Sequence, residues 1–377
     1  MLHPAFLFCG LWCSVAVLYL FCPVTIDSLS WSACALCAGG AFCFSLGCVL
    51  GNRGVVRNRA LWFVHRTTNP QPRRILLVYS LFTLPLFVRD TARMAGGFAF
   101  SAQFIISARD ALIAAPPGQT AYSNMMVSTA PMISILCAWL FLMEEDSRVL
   151  KSVAVVQVLI MCLLSTGRNM LLQFLVGWAV IAFLRVPNRN ILAIKGRGVA
   201  IVLGVVTLLT VITLVTKRET QGGDAVQVAG DLTVEYIAGP LAALSFGMDH
   251  VGNMTQGTDP HGPVVNVPFP TNVYTFYQNY YIVSGVTGCL LVAFLIGAVN
   301  GGIFHAAICG NRVAAFFMAY IYYALALSIF SDAYGLVLRH VEVIAYAALY
   351  FGVLRWLPPV LLRESGATSP IAQSGTR

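Results

Sequence analysis

The chain has 377 residues, of which 58% are hydrophobic and only 10% are charged, and its formal net charge is +8. This composition is far more apolar than that of soluble globular proteins, which excludes an ordinary soluble enzyme. The basic residues are grouped between apolar segments, a distribution that argues for a membrane protein and against nucleic-acid binding.

Ten apolar segments are candidates for membrane-spanning helices, because each approaches the roughly 20 residues that cross a bilayer. The first lacks the basic start and the cleavage site of a signal peptide, so we expect it to be retained. The predicted fold is an all-α polytopic membrane protein, with one transmembrane domain over residues 1–357 and a disordered tail over 358–377. The segments are 4–22, 29–50, 75–88, 125–143, 152–167, 169–184, 198–216, 280–300, 314–331 and 335–356.

Most of the lysine and arginine residues fall in loops on one side of these segments. The positive-inside rule makes that side cytoplasmic, together with both termini. Seven basic residues lie instead on the outer side or within the membrane, where topology does not require them. They are Arg89, Arg93, Arg109, Arg168, Lys217, Arg218 and Arg339.

Two outer regions are long enough to suggest a function, because structureless loops of this length are uncommon. Residues 89–124 contain enough apolar side chains to form an amphipathic helix at the interface. Residues 217–279 form the largest loop. In it, "LTVEYIAGPLAALSFGMDH" predicts a short helix that is interrupted at Gly239 and Pro240 and dips into the membrane surface.

Arg168 lies in "LLSTGRNMLL", at the tip of a predicted helical hairpin. The segment 152–167 would extend about 24 Å at 1.5 Å per residue, which is less than the hydrocarbon core of about 30 Å. Arg168 is therefore expected in the outer leaflet, where an unpaired guanidinium costs free energy. Either this side chain snorkels to the surface or it binds an anion.

The last segment carries three ionisable residues, Arg339, His340 and Glu342, in its first two turns. Charged groups at that depth face a cavity or pair with each other. Arg339 and Glu342 could form a structural pair on one helix face. In the alternative, Arg339 binds a phosphate or sugar, and His340 is a candidate base for a sugar hydroxyl.

Four further basic residues follow the outer ends of the third and seventh segments. Asp90 and Glu219 could neutralise them locally. Otherwise they form, with Arg168 and Arg339, a basic cluster at the depth of a lipid phosphate. Arginine binds diphosphate through bidentate hydrogen bonds, so such a cluster could hold a polyprenyl diphosphate and stabilise it as a leaving group. The four are Arg89, Arg93, Lys217 and Arg218.

The outer loops contain no Asp-x-Asp or His-x-x-x-His pattern, so neither a metal nor another cofactor is expected. Asp249 and His250 are better considered as candidate bases for a sugar hydroxyl. The alternative is that both are solvated loop residues.

The start of the eighth segment is crowded with aromatic and amide side chains, in "VPFPTNVYTFYQNYYIVSGVTG". An interfacial aromatic belt explains Tyr280 and Tyr281. The residues before them combine flat apolar faces with hydrogen-bonding groups, which suits the binding of sugar rings. The predicted sugar-binding residues are Asn272, Tyr274, Tyr277 and Gln278, with Tyr236 in the preceding loop.

Three stretches together resemble one family: "STGRNMLLQFLVGW", "EYIAGPLAAL" and "FPTNVYTFYQNYYIVSGVTGCLLVAFLIGAVNGGIF". Their order and spacing are similar to those of the oligosaccharide repeat-unit polymerases, the Wzy-type O-antigen polymerases of bacteria. The resemblance covers about residues 152–302. Arg168 matches the Gly-Arg hairpin of that family directly, whereas Arg89, Arg93, Arg218 and Arg339 match only by side and depth.

The resemblance implies a metal-independent glycosyltransferase of GT-C-like fold in the bacterial inner membrane, active at the periplasmic face in lipopolysaccharide biosynthesis. Such an enzyme transfers the growing chain from undecaprenyl diphosphate to a new lipid-linked repeat unit. Its partners would be the lipid-linked oligosaccharide donor and acceptor, membrane lipid, and a chain-length regulator and a flippase of the same pathway.

Two other functions agree with this sequence. One is an O-antigen ligase, which transfers finished polymer to lipid A core. The other is a flippase or transporter of lipid-linked sugars. Transporters often contain inverted repeats and broken mid-membrane helices, and neither is evident from the sequence.

Overall fold

A computed structural model describes the chain over several separate stretches. They cover residues 3–20, 29–54, 71–99, 101–114, 123, 125–144, 147–164, 168–185, 238–249, 265–266, 270–271, 275–309 and 311–329. Of the ten predicted spans, 198–216 and 335–356 lie outside these stretches. The described parts of the other eight segments are almost entirely helical, so the all-α expectation is confirmed for the described part of the chain.

Ten helices and one short β ladder make up the described residues. In chain order the helices are α1 (Pro4–Leu20), α2 (Trp31–Gly54), α3 (Gln71–Met94), α4 (Ala102–Ala114), α5 (Met125–Glu144), α6 (Arg148–Leu164), α7 (Arg168–Arg185), α8 (238–249), α9 (Phe276–Ile308) and α10 (Arg312–Leu327). The strands β1 (Val265–Asn266) and β2 (Pro270–Thr271) pair antiparallel, with Val265 opposite Thr271.

Two of the described helices, over Trp31–Asn52 and Phe276–Ile308, are long and apolar enough to cross a membrane. Large apolar side chains also point outward from the described helices, among them Phe82 at 69% exposure and Val149 at 71%. Water would oppose such exposure, whereas lipid favours it. The described chain is therefore compatible with a helical membrane protein.

Helices α2 and α9 pack in parallel through glycines. Gly47 approaches the backbone of Phe294 and Ala298, and Gly51 approaches that of Ala298 and Gly302. On the opposite helix, Gly297 and Gly301 lie against the carbonyl groups of Phe44 and Cys48. Residue numbers rise together on both helices, so the two run in the same direction. Each helix contributes a Gly-x-x-x-Gly pair, whose missing side chains let membrane helices approach closely.

Helix α9 is broken at Gly285, which has φ 64° and ψ −164°. Its first segment, residues 276–284, folds back along the rest of the helix. The thiol of Cys289 donates to the carbonyl oxygen of Tyr277 at 3.3 Å. In a straight helix these residues would be about 18 Å apart. No broken helix was evident from the sequence, yet a single glycine in a backbone conformation that other residues rarely adopt reverses the chain here.

The remaining segment of α9, residues 286–308, would extend about 34 Å at 1.5 Å per residue, which still exceeds the hydrocarbon core of about 30 Å. It is followed by a short turn into α10. Asn311 caps α10 by accepting a hydrogen bond from the N–H of Ala314 at 3.1 Å. Helix α10 then packs on α5, where the indole of Trp139 contacts the rings of Phe316 and Tyr320.

The two long regions predicted on the outer side each contain a short helix. Helix α4 falls within residues 89–124 as expected. Helix α8 covers residues 238–249 and includes Gly239 and Pro240, while the part of the predicted short helix before Ala238 lies outside the described residues. Its residues from Ala238 to Ser245 are buried, and the hydroxyl of Ser245 accepts from the N–H of Ser30 at 2.7 Å. This helix packs against the start of α2.

Candidate functional site

The C-terminal end of α3 holds a closed network of three polar residues. Arg89 donates from Nε and Nη2 to one oxygen of Asp90, at 3.0 and 2.8 Å. The N–H of Ser123 donates to the other oxygen at 2.8 Å, and the Ser123 hydroxyl accepts from Arg89 at 3.0 Å. Asp90 therefore neutralises Arg89 locally, which is the alternative to diphosphate binding that the sequence analysis left open. Binding of diphosphate by Arg89 stays a prediction.

Asp90 is buried although it lies beyond the apolar segment 75–88. Burial alone would raise the pKa of its carboxyl. Hydrogen bonds from Ser123 and the guanidinium of Arg89 outweigh that effect, and the pKa is lowered from its ordinary value. The carboxylate therefore stabilises the folded state at neutral pH, and this contribution is lost as pH falls through the lowered pKa.

Arg93 lies one turn beyond Arg89 on the same helix face and is exposed. Among the described residues we find no ion pair with its guanidinium. The helix ends just after it in a Schellman motif, in which the N–H of Gly97 donates to the carbonyl of Ala92 at 2.9 Å. Gly96, with φ 78°, occupies the position that favours glycine. Arg93 is thus an exposed cation at this end of the bundle.

The helix that begins at Arg168 lies at the same end as Arg89. Phe87 of α3 belongs to one apolar cluster with Met161 and Leu164, which are in the last turn of α6. Helix α7 starts four residues after Leu164, at Arg168 itself. The side chain of Arg168 and residues 165–167 lie outside the described part. The structure gives only the backbone position of Arg168, at a helix N-terminus at the same end of the bundle as the C-terminal end of α3.

A polar cluster that the sequence analysis missed lies between α3, α5 and α6. The amide nitrogen of Gln157 donates to the hydroxyls of Ser80 and Ser134, the latter at 3.2 Å, and the two hydroxyls are 3.2 Å apart. All three side chains are buried. The sequence feature that could have predicted this cluster is the recurrence of serine and glutamine inside apolar segments, where such side chains form hydrogen bonds between helices.

The folded-back start of α9 brings further polar groups into the protein interior. The N–H of Phe276 donates to the carbonyl of Ser328 at 3.0 Å, so this start contacts the end of α10. Thr275, Gln278 and Ser328 are buried, and each has a side-chain oxygen without a partner among the described residues. Unpaired buried oxygens are costly, which makes this junction a candidate site for hydroxyl-bearing ligands.

Tyr277 lies in the same folded-back segment and is fully buried. Its ring contacts Trp12 of α1, with centroids 5.1 Å apart, and its hydroxyl lies where a Cβ at Gly40 would be. That hydroxyl also has no partner in the described stretches. Tyr277 thus packs three helices together in this structure. Sugar binding by Tyr277 and Gln278 stays a prediction.

Asp249 is the last described residue of α8 and is exposed. The described residues contain no group of three histidine, cysteine, aspartate or glutamate side chains that could hold a metal ion. The remaining predicted site residues lie outside the described stretches, and the structure bears on none of them. They are Tyr236, Lys217, Arg218, His250, Asn272, Tyr274, Arg339 and His340.

The chain matches no protein-family model, no curated protein and no solved structure. The resemblance of three sequence stretches is therefore the one observation that connects this chain with the polymerase family.

Proposed function

We propose that this protein is a membrane glycosyltransferase that polymerises oligosaccharide repeat units linked to undecaprenyl diphosphate. The growing chain would leave its lipid diphosphate and be joined to a new lipid-linked unit at the outer face of the inner membrane. The proposed architecture has about ten spans in a GT-C-like fold, with both termini in the cytoplasm. The parallel packing of α2 and α9 agrees with it, because five predicted spans separate the two helices.

The observation that carries this proposal is the folded-back start of α9. Irregular backbone within a membrane protein is tolerated where it is buried in protein or lines a polar cavity. Here the fold-back buries the side-chain oxygens of Thr275 and Gln278 beside Ser328, without partners in the described chain. Hydroxyl groups of an acceptor sugar could satisfy them. The family resemblance falls on this same segment.

The donor diphosphate would bind at the end of the bundle that carries Arg93 and the start of α7. A helix N-terminus favours an anion, and a guanidinium adds bidentate hydrogen bonds. Arg168 at that N-terminus and the exposed Arg93 are thus suited to hold two negative phosphates. Arg89 would contribute less, because Asp90 already takes part of its hydrogen-bonding capacity.

In the proposed reaction an acceptor hydroxyl attacks the anomeric carbon of the donor sugar. The bond from that carbon to the diphosphate oxygen breaks, and arginine side chains stabilise the negative charge on the leaving group. The hydroxyl proton passes to a base, for which His340, Asp249 and His250 are the candidates. No metal or other cofactor takes part in this scheme.

Replacement of Arg168 by alanine tests the donor site. We expect surface polysaccharide to be reduced to single repeat units, because the leaving group loses its charge stabilisation. Arg74→Ala is the matched control, since Arg74 is an exposed arginine on α3 at the opposite end. Full-length polymer from Arg168→Ala, at protein levels equal to the control, would contradict the donor-site assignment.

A flippase or transporter of lipid-linked sugars is the second candidate, and the break at Gly285 favours it. Discontinuous helices commonly form the substrate sites of transporters. A transporter would move the lipid-linked unit across a vesicle membrane without lengthening its glycan. The O-antigen ligase remains an alternative on sequence alone. Loss of a ligase leaves bare core, whereas loss of a polymerase leaves single-repeat caps.

A further inference from the structure

A groove of about 460 Å³ lies between α3 and α6. Its walls are apolar along most of its length, with Leu81 and Leu84 on α3 and Val149, Val153 and Val156 on α6. Val149 and Val156 are 71% and 53% exposed. Nothing in the described chain covers these two valines.

Among the described residues that line the groove, the one cation lies at one end. Arg148, which is exposed, begins α6 and lines the mouth of the groove. Lys151 follows one turn later. From Arg148 to Ile160, the far end of the lining, α6 rises about 18 Å at 1.5 Å per residue. That length is close to one leaflet of a hydrocarbon core of about 30 Å.

We infer that this groove binds a glycerophospholipid with an anionic headgroup, from the leaflet at the Arg148 end. The lipid phosphate lies at Arg148, and an acyl chain follows the valines towards Leu84. Charge complementarity and length both favour this occupant. A partner transmembrane helix would need a contact surface that extends across both leaflets, whereas this groove extends across one leaflet. The site is independent of the proposed glycosyl transfer, and its Arg148 end lies at the opposite end of the bundle from Arg89.

The test uses the purified full-length chain in neutral detergent, with phosphatidylglycerol and phosphatidylcholine as probes in native mass spectrometry. We expect one phosphatidylglycerol to bind in preference to phosphatidylcholine. Arg148→Gln should weaken that binding about fivefold, the value expected for one basic residue near an anionic surface. Arg74→Gln is the control, because Arg74 is exposed at the same end of the bundle and does not line the groove.

A second pair of variants tests the groove itself. Val156→Trp fills it and should abolish retention of phosphatidylglycerol. Leu159→Trp adds the same side chain one turn away, at a position that is 39% exposed and outside the lining, and should retain the lipid. Equal binding by the two tryptophan variants would overturn the inference, as would equal binding of the two lipids. Dimerisation that is lost in Val156→Trp would do the same, since it would assign the groove to a second copy of the chain.

Discussion

Replacement of Gly51 by alanine tests the parallel packing of α2 and α9. A Cβ at this position would overlap the carbonyl oxygen of Ala298, which is backbone and cannot rotate away. The helices must therefore separate, and overpacking of this kind costs about 1–3 kcal/mol. At about 2 kcal/mol the ratio of folded to unfolded protein falls roughly 30-fold.

Gly10→Ala is the matched control for this substitution. Gly10 lies within α1, and a Cβ there would meet nothing within 4 Å. Alanine is the better helix former, so this variant should be neutral or slightly more stable. Thermal unfolding of both variants in one detergent gives the comparison. If Gly51→Ala unfolds at the same temperature as Gly10→Ala, the close approach of the two helices is refuted.

Three further predictions concern the break in α9, the buried tyrosine and the ion pair. Gly285→Ala should lower the free energy of unfolding by about 1–3 kcal/mol through backbone strain alone, since its Cβ has open space; unchanged thermal unfolding would contradict the break. Tyr277→Phe should be neutral or stabilising in thermal unfolding, because it removes an unpaired buried hydroxyl; marked destabilisation would reveal a hydrogen bond there. Asp90→Asn should lower the free energy of unfolding by about 1 kcal/mol at pH 7. It should also reduce the loss of stability that acid causes below about pH 4. An unfolding profile in acid identical to that of the native chain would contradict the lowered pKa of Asp90.

The helical character of the chain could be predicted from sequence because apolar segments of the necessary length are explicit in it. The Gly-x-x-x-Gly pairs at Gly47 and Gly297 were also readable, since small residues at that spacing are typical of membrane helix contacts. Their pairing with each other was not, because the two helices are far apart in the chain. Only the fold brings Phe44 against Gly297.

The fold-back of α9 could not be predicted from hydropathy. The segment around Gly285 contains no charged residue, and hydropathy does not report backbone dihedral angles. Tyr277 was therefore predicted as a sugar-binding residue before the span, whereas the reversal buries it against Trp12. The pairing of Arg89 with Asp90 was readable as an alternative because the residues are adjacent. The part played by Ser123 required the loop after α4 to return to the end of α3.

The most direct measurement of the proposed function is glycan extension by the purified full-length chain, reconstituted into vesicles with purified undecaprenyl-diphosphate-linked repeat units. Gel separation of the lipid-linked products reports their length. The proposal predicts a ladder of products that lengthens with time and is absent from Arg168→Ala. Movement of the lipid-linked unit across the vesicle membrane without any lengthening would contradict the polymerase and identify a transporter.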